Sequence, residues 1–278
     1  MDMEYLQQAL LALMAIPSVT GDTEAACAWT ARELEALGLE PKFTRKGAVY
    51  VTLPGADDDH QVLVNAHLDT LGAMVKELLP GGRLRVTTVG GWTFTTYEGE
   101  NLTVHTWDGR TYSGTLLYEK SSVHCFPEEA RTAPRTEDNM EIRLDEDVSS
   151  KADLEALGIA VGDFVSFDTR TVITPKGYVK SRYLDDKACA AILLAVLKEL
   201  RETGTPLRRT AHFYFANYEE LGHGVSWIPE KTAELLSVDI GTVAPGHTSD
   251  EKTVTICAKD SRTTYDFGFR KQLTELAE

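Results

Sequence analysis

The feature that most constrains this chain is the stretch from Thr210 to Gly224, with the sequence TAHFYFANYEELGHG. Its first seven residues are mostly aromatic or apolar and predict a buried strand. That strand runs into two adjacent acids, Glu219 and Glu220, and then into a turn rich in glycine. Ligands of open α/β sheets bind at the carboxyl ends of the strands, so one acid would hold a metal while its neighbour transfers a proton. A solvated loop that carries two acids is the alternative interpretation.

A second strand end with metal-binding chemistry follows residues 61–66. This nearly continuous apolar run is typical of a strand that is buried on both faces of a sheet. It ends in His67, Leu68 and Asp69. The histidine would bind a metal, and the aspartate two residues later would fix the tautomer of the imidazole. A hydrogen-bonded structural histidine is the simpler interpretation of the same spacing.

Two further acids precede a long apolar segment. Asp185 and Asp186 stand before residues 188–200, which are almost wholly small or apolar and predict a central helix buried against a sheet. Helix capping would explain these acids without a metal. An aspartate at this point would also be able to bridge two cations. Residues 235–241 predict a short strand that carries another acid, Asp239.

These side chains are more informative as a set. His67, Asp185, Glu219, Glu220 and Asp239 each fall at an end of a predicted core element. Carboxylates together with an imidazole are the ligands that bind paired divalent cations such as zinc or cobalt. The sequence therefore predicts a dinuclear metal centre at one edge of an α/β sheet.

The order of the predicted elements indicates a core that is interrupted by an insertion. Helical patterns at residues 2–14 and 22–37 open the chain and a strand hairpin follows them. Residues 74–176 read as several short strands with glycine turns and predict a β-rich insertion. A strand at residues 253–258 and a helix at residues 266–277 are predicted near the end.

The composition excludes several classes of protein. A net charge of −15 argues against nucleic acids and anionic membrane surfaces as partners, because both require clustered Lys and Arg. A chain of 278 residues with 42% hydrophobic content supplies one large core, or a core and a smaller satellite domain. The four cysteines form no CxxC pair, and no apolar stretch reaches the length of about 18 residues that spans a membrane. We therefore expect a cytoplasmic protein with free thiols and no targeting or membrane-spanning segment.

Four ordered motifs make the chain resemble the M42 family of dinuclear metallo-aminopeptidases. They are NAHLDT (65–70), SRYLDDKA (181–188), ANYEELGHG (216–224) and SVDIG (237–241). The resemblance implies an α/β fold of the three-layer, mixed-sheet type of the co-catalytic zinc exopeptidases. It implies a catalytic domain formed by residues 1–73 and 177–278, and an inserted β-barrel-like domain of residues 74–176 for lid and oligomer contacts.

The same resemblance implies the metal ligands. His67 and Asp239 would bind a first metal, Asp185 would bridge, and Glu220 would bind a second metal. The implied cofactors are two divalent cations, zinc or cobalt, and manganese also suits this ligand set.

The remaining implied roles concern Glu219 and Asp69. Glu219 would be the general base, and Asp69 would orient the metal-binding histidine. The implied activity is the removal of N-terminal residues from peptides by a metal-activated water, in a homo-oligomer.

The chain departs from the family pattern at its C-terminal end. Family members are longer, and the histidine that completes their second metal site lies in a segment that this sequence does not contain. His247 is the last histidine here and does not match that position. We therefore expect an incomplete second site and reduced metal affinity. Two alternatives stay open: an inactive peptidase-fold binding or assembly protein, and a related metal-dependent amidohydrolase that acts on acyl-amino acids.

Overall fold

The computed structural model describes residues 1–278 and contains a mixed sheet, a closed β-barrel and six α-helices. The helices are α1 (Met3–Met14), α2 (Glu24–Ala36), α3 (Glu129–Thr132), α4 (Lys151–Ala156), α5 (Leu184–Thr203) and α6 (Phe267–Ala277). The strands are β1 (Lys42–Phe43), β2 (Val49–Leu53), β3 (Gly55–His67), β4 (Gly72–Leu78), β5 (Arg83–Val89), β6 (Asn101–His105), β7 (Thr111–Tyr118), β8 (Met140–Leu144), β9 (Phe164–Phe167), β10 (Val172–Ile173), β11 (Val179–Lys180), β12 (Leu207–Ala216) and β13 (Thr232–Ser237).

The mixed sheet has five strands in the order β1-β2-β12-β3-β13. β12 and β13 both run parallel to β3, whereas β2 runs antiparallel to β12 and to β1. The register places Ala216, the last residue of β12, beside His67, the last residue of β3. The carboxyl ends of two parallel strands therefore meet at one edge of the sheet, which is where ligands bind in open α/β folds.

The two faces of this sheet are covered by different parts of the chain. On one face, Val64 and Phe213 pack with α1, α2 and α5 in the main apolar core. On the other face lies the fully buried Tyr214, and Trp227 stacks on Tyr50 with ring centroids 4.1 Å apart. Because the C-terminal parts of β3 and β12 bury side chains on both faces, residues 61–67 and 210–216 are nearly continuous buried runs rather than alternating ones.

Helix α5 contains the apolar run that the sequence predicted as a central helix. Asp185 and Asp186 have non-helical backbone angles, so the regular helix begins after them. Gly204 ends it in the left-handed conformation with φ of 62°, a conformation that costs glycine least. The two acids therefore stand where the chain enters the helix, and both contact His67 at the end of β3.

The strands between Gly72 and Phe167 close into a β-barrel in the order β4-β5-β8-β7-β6-β9. Its core includes Val86 and Leu116, which are fully buried. All barrel residues except the first two lie in the range 74–176 that the sequence predicts as a β-rich insertion. The barrel thus has an apolar core of its own, separate from the core under the sheet.

The chain divides into two compact units, residues 1–238 and residues 239–278. In the second unit, α6 follows Asp266, whose Oδ1 accepts a hydrogen bond of 2.7 Å from the backbone N–H of Phe269. This confirms the helix predicted at the end of the chain. None of the six helices has the length and apolar character that crossing a membrane requires.

Two strand predictions need correction. The predicted strand at residues 253–258 is wrong, because these residues form no strand. Val254, an apolar residue of this segment, is 81% exposed, so the segment does not pack against a neighbouring strand. The strand predicted at residues 235–241 lies earlier in the chain, as β13, and ends before Asp239.

Candidate metal centre

His67 is the buried centre of the candidate site, with 1% of its surface exposed. Its Nδ1 lies 2.9 Å from the carbonyl oxygen of Asp69, which only accepts, so Nδ1 is the donor. Its Nε2 lies 3.1 Å from Oδ1 of Asp185. Its backbone N–H donates to Oδ2 of Asp186 at 2.9 Å. The ring is therefore held from the Nδ1 side, and Nε2 is directed at the acidic residues.

Asp69 is fully buried and connects three parts of the chain. Its carboxylate accepts hydrogen bonds from Thr20 Oγ1 at 2.7 Å, from the backbone N–H of Glu219 at 3.1 Å and from that of Glu220 at 3.2 Å. Its Oδ1 is 3.5 Å from His67 Nδ1, farther than the carbonyl contact. Burial raises the pKa of Asp69, but its hydrogen bonds outweigh burial and the net shift is downward. This aspartate therefore holds the turn of the two glutamates as an ionised acceptor.

Three acids face the imidazole from the loops around it. Ligand atoms of His67, Asp185 and Glu220 all lie within 4.8 Å of one another. Oε2 of Glu219 lies 3.7 Å from Nε2 of the histidine. The side chains of Asp185 and Glu219 are 48% and 45% exposed, so both are accessible to solvent. The structure thus brings five of the six predicted site residues into one cluster within residues 1–238, namely His67, Asp69, Asp185, Glu219 and Glu220.

The electrostatics and the donor set of the cluster both fit a divalent cation. Burial and the charge of Asp185 raise the pKa of Glu220 to about 8. Burial lowers the pKa of His67, but hydrogen bonds to Asp185 and Asp69 outweigh it and the net shift is upward. Crowded carboxylates beside one imidazole hold protons that a cation would displace. One imidazole nitrogen and several carboxylate oxygens are the ligands that zinc, cobalt and manganese share.

Asp239, the sixth predicted residue, begins the second compact unit. Its Oδ1 lies 2.6 Å from the backbone nitrogen of Ile240, which donates to it. Its role as a metal ligand stays a prediction.

Three residues support the site in ways that the sequence analysis did not predict. Asp186 is fully buried against the backbone of His67, whereas its sequence pattern suggested a helix cap. Thr20 comes from a distant loop, and no sequence signal identifies it. Lys187 is buried, and its Nζ donates to the carbonyl oxygens of Leu13 and Ile16 at 2.9 Å and 2.6 Å.

The sequence gives one signal for Lys187, which is a cation that directly follows Asp185 and Asp186 and precedes the apolar run of residues 188–200. Burial lowers the pKa of Lys187 to about 7. Its two carbonyl contacts join the start of α5, and so the Asp185 segment, to the end of α1.

Comparison with known sequences identifies close relatives. The family described as M42 glutamyl aminopeptidase has a sequence model that matches residues 47–278. YhfE of Bacillus subtilis (strain 168), which is named as an aminopeptidase, is 44% identical over 267 residues, or 96% of this chain and 77% of that protein. The glutamyl aminopeptidase of Lactococcus lactis subsp. cremoris (strain MG1363) is 25% identical over 173 residues, or 62% of this chain and 48% of that enzyme. The chain thus spans about half the length of the second relative.

Comparison with solved structures identifies the fold. The TET1 peptidase of Pyrococcus horikoshii matches with a TM-score of 0.83 and 22% identity, over 98% of this chain and 80% of that one. The aminopeptidase APDkam598 of the archaeon Desulfurococcus kamchatkensis matches with a TM-score of 0.80 and 20% identity, over 99% of this chain and 76% of that one. These likenesses confirm the predicted α/β peptidase fold with an inserted barrel.

Proposed function

This chain belongs to the M42 aminopeptidase family, and from that premise we propose that it is a metal-dependent exopeptidase that removes N-terminal residues from peptides. Family membership makes it a hydrolase of the aminopeptidase class. The observation that carries the finer proposal is the convergence of His67, Asp185 and Glu220, with Glu219 beside them.

His67, Asp185, Glu220 and Asp239 are the proposed ligands for two divalent cations, zinc or cobalt, with manganese as an alternative. Bound cations of this kind supply Lewis-acid polarisation of a carbonyl and make water more acidic. His67 would offer Nε2, because its Nδ1 is engaged with the carbonyl oxygen of Asp69. The side chain of Asp185 is 48% exposed and its Oδ1 lies 3.1 Å from His67 Nε2, so this carboxylate is placed to share a cation with the imidazole.

Glu219 is the proposed general base. Its backbone is held by the carboxylate of Asp69, while its side chain is 45% exposed and lies 3.7 Å from the imidazole. From this position a carboxylate takes a proton from the attacking water and passes it to the leaving amine. Glu220 differs from its neighbour because its ligand atom lies within 4.8 Å of those of His67 and Asp185, a position that suits a metal ligand.

Asp69 is the proposed positioning residue. Its carbonyl oxygen orients the imidazole, and its carboxylate sets the distance between the histidine and the two glutamates. We therefore extend the proposed role of Asp69, which would orient Glu219 as well as His67. Such supporting hydrogen bonds typically change metal affinity or activity by about 10- to 100-fold when they are removed.

Elemental analysis of the purified chain, run beside hydrolysis of aminoacyl anilides with added zinc or cobalt, tests the proposal. We expect bound metal, and turnover that falls about 100- to 10,000-fold in Glu219→Gln while the metal content stays unchanged. A panel of N-acyl-amino acids in the same assay separates aminopeptidase activity from an amidohydrolase. Metal-free protein without turnover, or Glu219→Gln with full turnover, would contradict the proposal.

Self-association is a further part of the proposal. The TET1 peptidase of Pyrococcus horikoshii, which shares the fold, can assemble into a tetrahedron or a large octahedral shell. We propose peptides as substrates and a homo-oligomer as the working form, in the reducing cytoplasm that suits four free cysteines. Light scattering behind a sizing column measures the oligomeric state, and a monomer at micromolar concentration would contradict this part.

A further inference from the structure

A cationic cluster lies beside the proposed general base. Lys46, in the turn between β1 and β2, reaches the segment that follows β12. Its Nζ lies 4.0 Å from the centroid of the Tyr218 ring and 2.5 Å from Nδ1 of His223. The tyrosine and histidine rings stack, with centroids 5.2 Å apart and an interplanar angle of 20°. These three side chains form one surface, which we call the Lys46 cluster.

The Lys46 cluster is attached to the turn that carries the base. Tyr218 immediately precedes Glu219. Gly224 packs so closely on that glutamate that a Cβ at this glycine would lie 3.0 Å from the Cβ of Glu219. The side chain of Asn217, on the other side of the tyrosine, donates from Nδ2 to the carbonyl oxygen of Lys46 at 2.7 Å. The cluster is therefore held next to the turn of the candidate metal centre that carries Glu219.

The contacts of Lys46 do not neutralise its charge. The face of the Tyr218 ring attracts the ammonium group through its quadrupole, and His223 accepts through Nδ1. Because Nδ1 accepts, the proton of the neutral imidazole is on Nε2, which becomes a second donor. Both Lys46 and His223 are exposed. On a chain with net charge −15, the cluster presents a positive charge and N–H donors to a group that arrives from solvent.

We propose that the Lys46 cluster binds a carboxylate of the peptide substrate, an inference that rests on the proposed exopeptidase function. A carboxylate accepts charge-assisted hydrogen bonds from an ammonium group, whereas a neutral amide at the same point lacks the ionic attraction. The carboxylate has two sources in a peptide: the side chain of an acidic N-terminal residue, and the C-terminus of a short peptide. The cluster therefore determines specificity and takes no part in the chemical step.

Paired substrates that differ only in charge distinguish these sources. One pair is a glutamyl and a glutaminyl anilide, and the other is a tripeptide with a free or an amidated C-terminus. We expect Lys46→Met to raise KM for the charged member of one pair about tenfold, with kcat unchanged and the neutral member unaffected. Lys46→Arg should restore most of the preference. Arg45→Met, which removes a neighbouring exposed cation, is the matched control and should change neither pair.

If Lys46→Met raises KM equally for charged and neutral substrates, the lysine only stabilises the turn, and the inference is overturned. A loss in Arg45→Met as large as in Lys46→Met would overturn it as well, because the effect would then come from general surface charge. Calorimetric binding to the Glu219→Gln chain of glutamyl and glutaminyl dipeptide amides, and of a tripeptide with a free or an amidated C-terminus, decides the same question without turnover. If the natural chain hydrolyses no substrate, the proposed function fails, while this binding difference still tests the Lys46 cluster.

Discussion

The candidate metal centre has a floor and a rim that differ in how they are held. The floor consists of His67, Asp69 and Asp186, whose exposed fractions are 1%, 0% and 0%. The rim consists of Asp185, Glu219 and Glu220. Two of the rim side chains are almost half exposed, and the third has a pKa raised by burial and by a neighbouring charge. Folding therefore fixes the floor through hydrogen bonds, whereas the rim side chains are more exposed or lie close to other negative charges.

This difference separates the effects of substitutions on stability from their effects on activity. Removing a buried acceptor leaves its donors without partners, which costs about 1–3 kcal/mol for each donor. Removing an exposed charge usually changes the free energy of unfolding by less than about 0.5 kcal/mol. Floor substitutions should therefore lower stability and activity together, and rim substitutions should lower metal affinity or activity alone.

The largest effect is expected for Asp69→Ala. This change removes the acceptor of Thr20 Oγ1 and of the backbone N–H groups of Glu219 and Glu220. We expect the free energy of unfolding to fall by about 4 kcal/mol, because three donors lose their partner, and metal affinity to fall about 10- to 100-fold. Urea unfolding measures the change. Glu219→Gln, which keeps these bonds, is the control and should unfold like the natural chain. If Asp69→Ala is as stable as this control, the distinction between floor and rim is wrong.

The second prediction concerns pH and the rim. The pKa of Glu220 is raised from 4.5 to about 8 in the fold, so the folded chain holds a proton that the unfolded chain has lost in this range. Without metal, the stability from this proton is complete below pH 4.5 and declines as the pH rises toward about 8. A cation must displace the proton, so the apparent zinc affinity should rise up to about tenfold per pH unit between about pH 6 and 8.

The protonated imidazole of His67 steepens this dependence, because its pKa is also raised. Zinc isotherms at several pH values measure the slope, and Glu220→Gln should reduce it by one proton as well as weakening binding. Affinity that stays constant over this range would show that the glutamate does not exchange its proton for a metal.

The third prediction compares Asp186, which belongs to the floor, with its neighbour Asp185, which belongs to the rim. Asp186→Ala removes the acceptor of the His67 backbone N–H and should lower the free energy of unfolding by about 2 kcal/mol. Asp185→Ala removes a half-exposed side chain and should leave that free energy within about 0.5 kcal/mol, while zinc affinity falls at least about a hundredfold. Thermal unfolding without metal and zinc titration of both variants give the two readouts. Equal losses of stability in the two variants would contradict the distinction between floor and rim.

The same distinction explains how much of the site could be predicted from the sequence. Rim acids and His67 stand at the ends of strongly patterned elements, so periodicity and the rule that ligands bind at the carboxyl ends of strands were enough to group them. The contacts of Asp69 with Glu219 and Glu220 join residues about 150 positions apart and leave no local pattern. The sequence therefore predicted the acids of the candidate site better than the hydrogen bonds that hold them.

The fold shows the same limit. Apolar runs predicted β3, β12 and α5, because a segment that is buried on both sides consists mostly of apolar residues. The pattern at residues 253–258 has the composition of a strand, but a strand also needs a neighbour with which to pair, and these residues are in no sheet. Local pattern predicts which segments suit a strand, and tertiary contacts decide which segments become one.

The smallest expected effect tests one hydrogen bond of the floor. Thr20→Val keeps the β-branched shape and removes the hydroxyl that donates to Asp69 Oδ2 at 2.7 Å. Since the carboxylate keeps its two backbone donors, we expect a loss of only about 1 kcal/mol in the free energy of unfolding. Thr115→Val, on barrel strand β7, is the matched control and should be neutral within about 0.5 kcal/mol. If Thr20→Val also lowers kcat several-fold, then the orientation of Asp69, and not only its presence, positions the base; unchanged kcat would limit the role of this bond to stability.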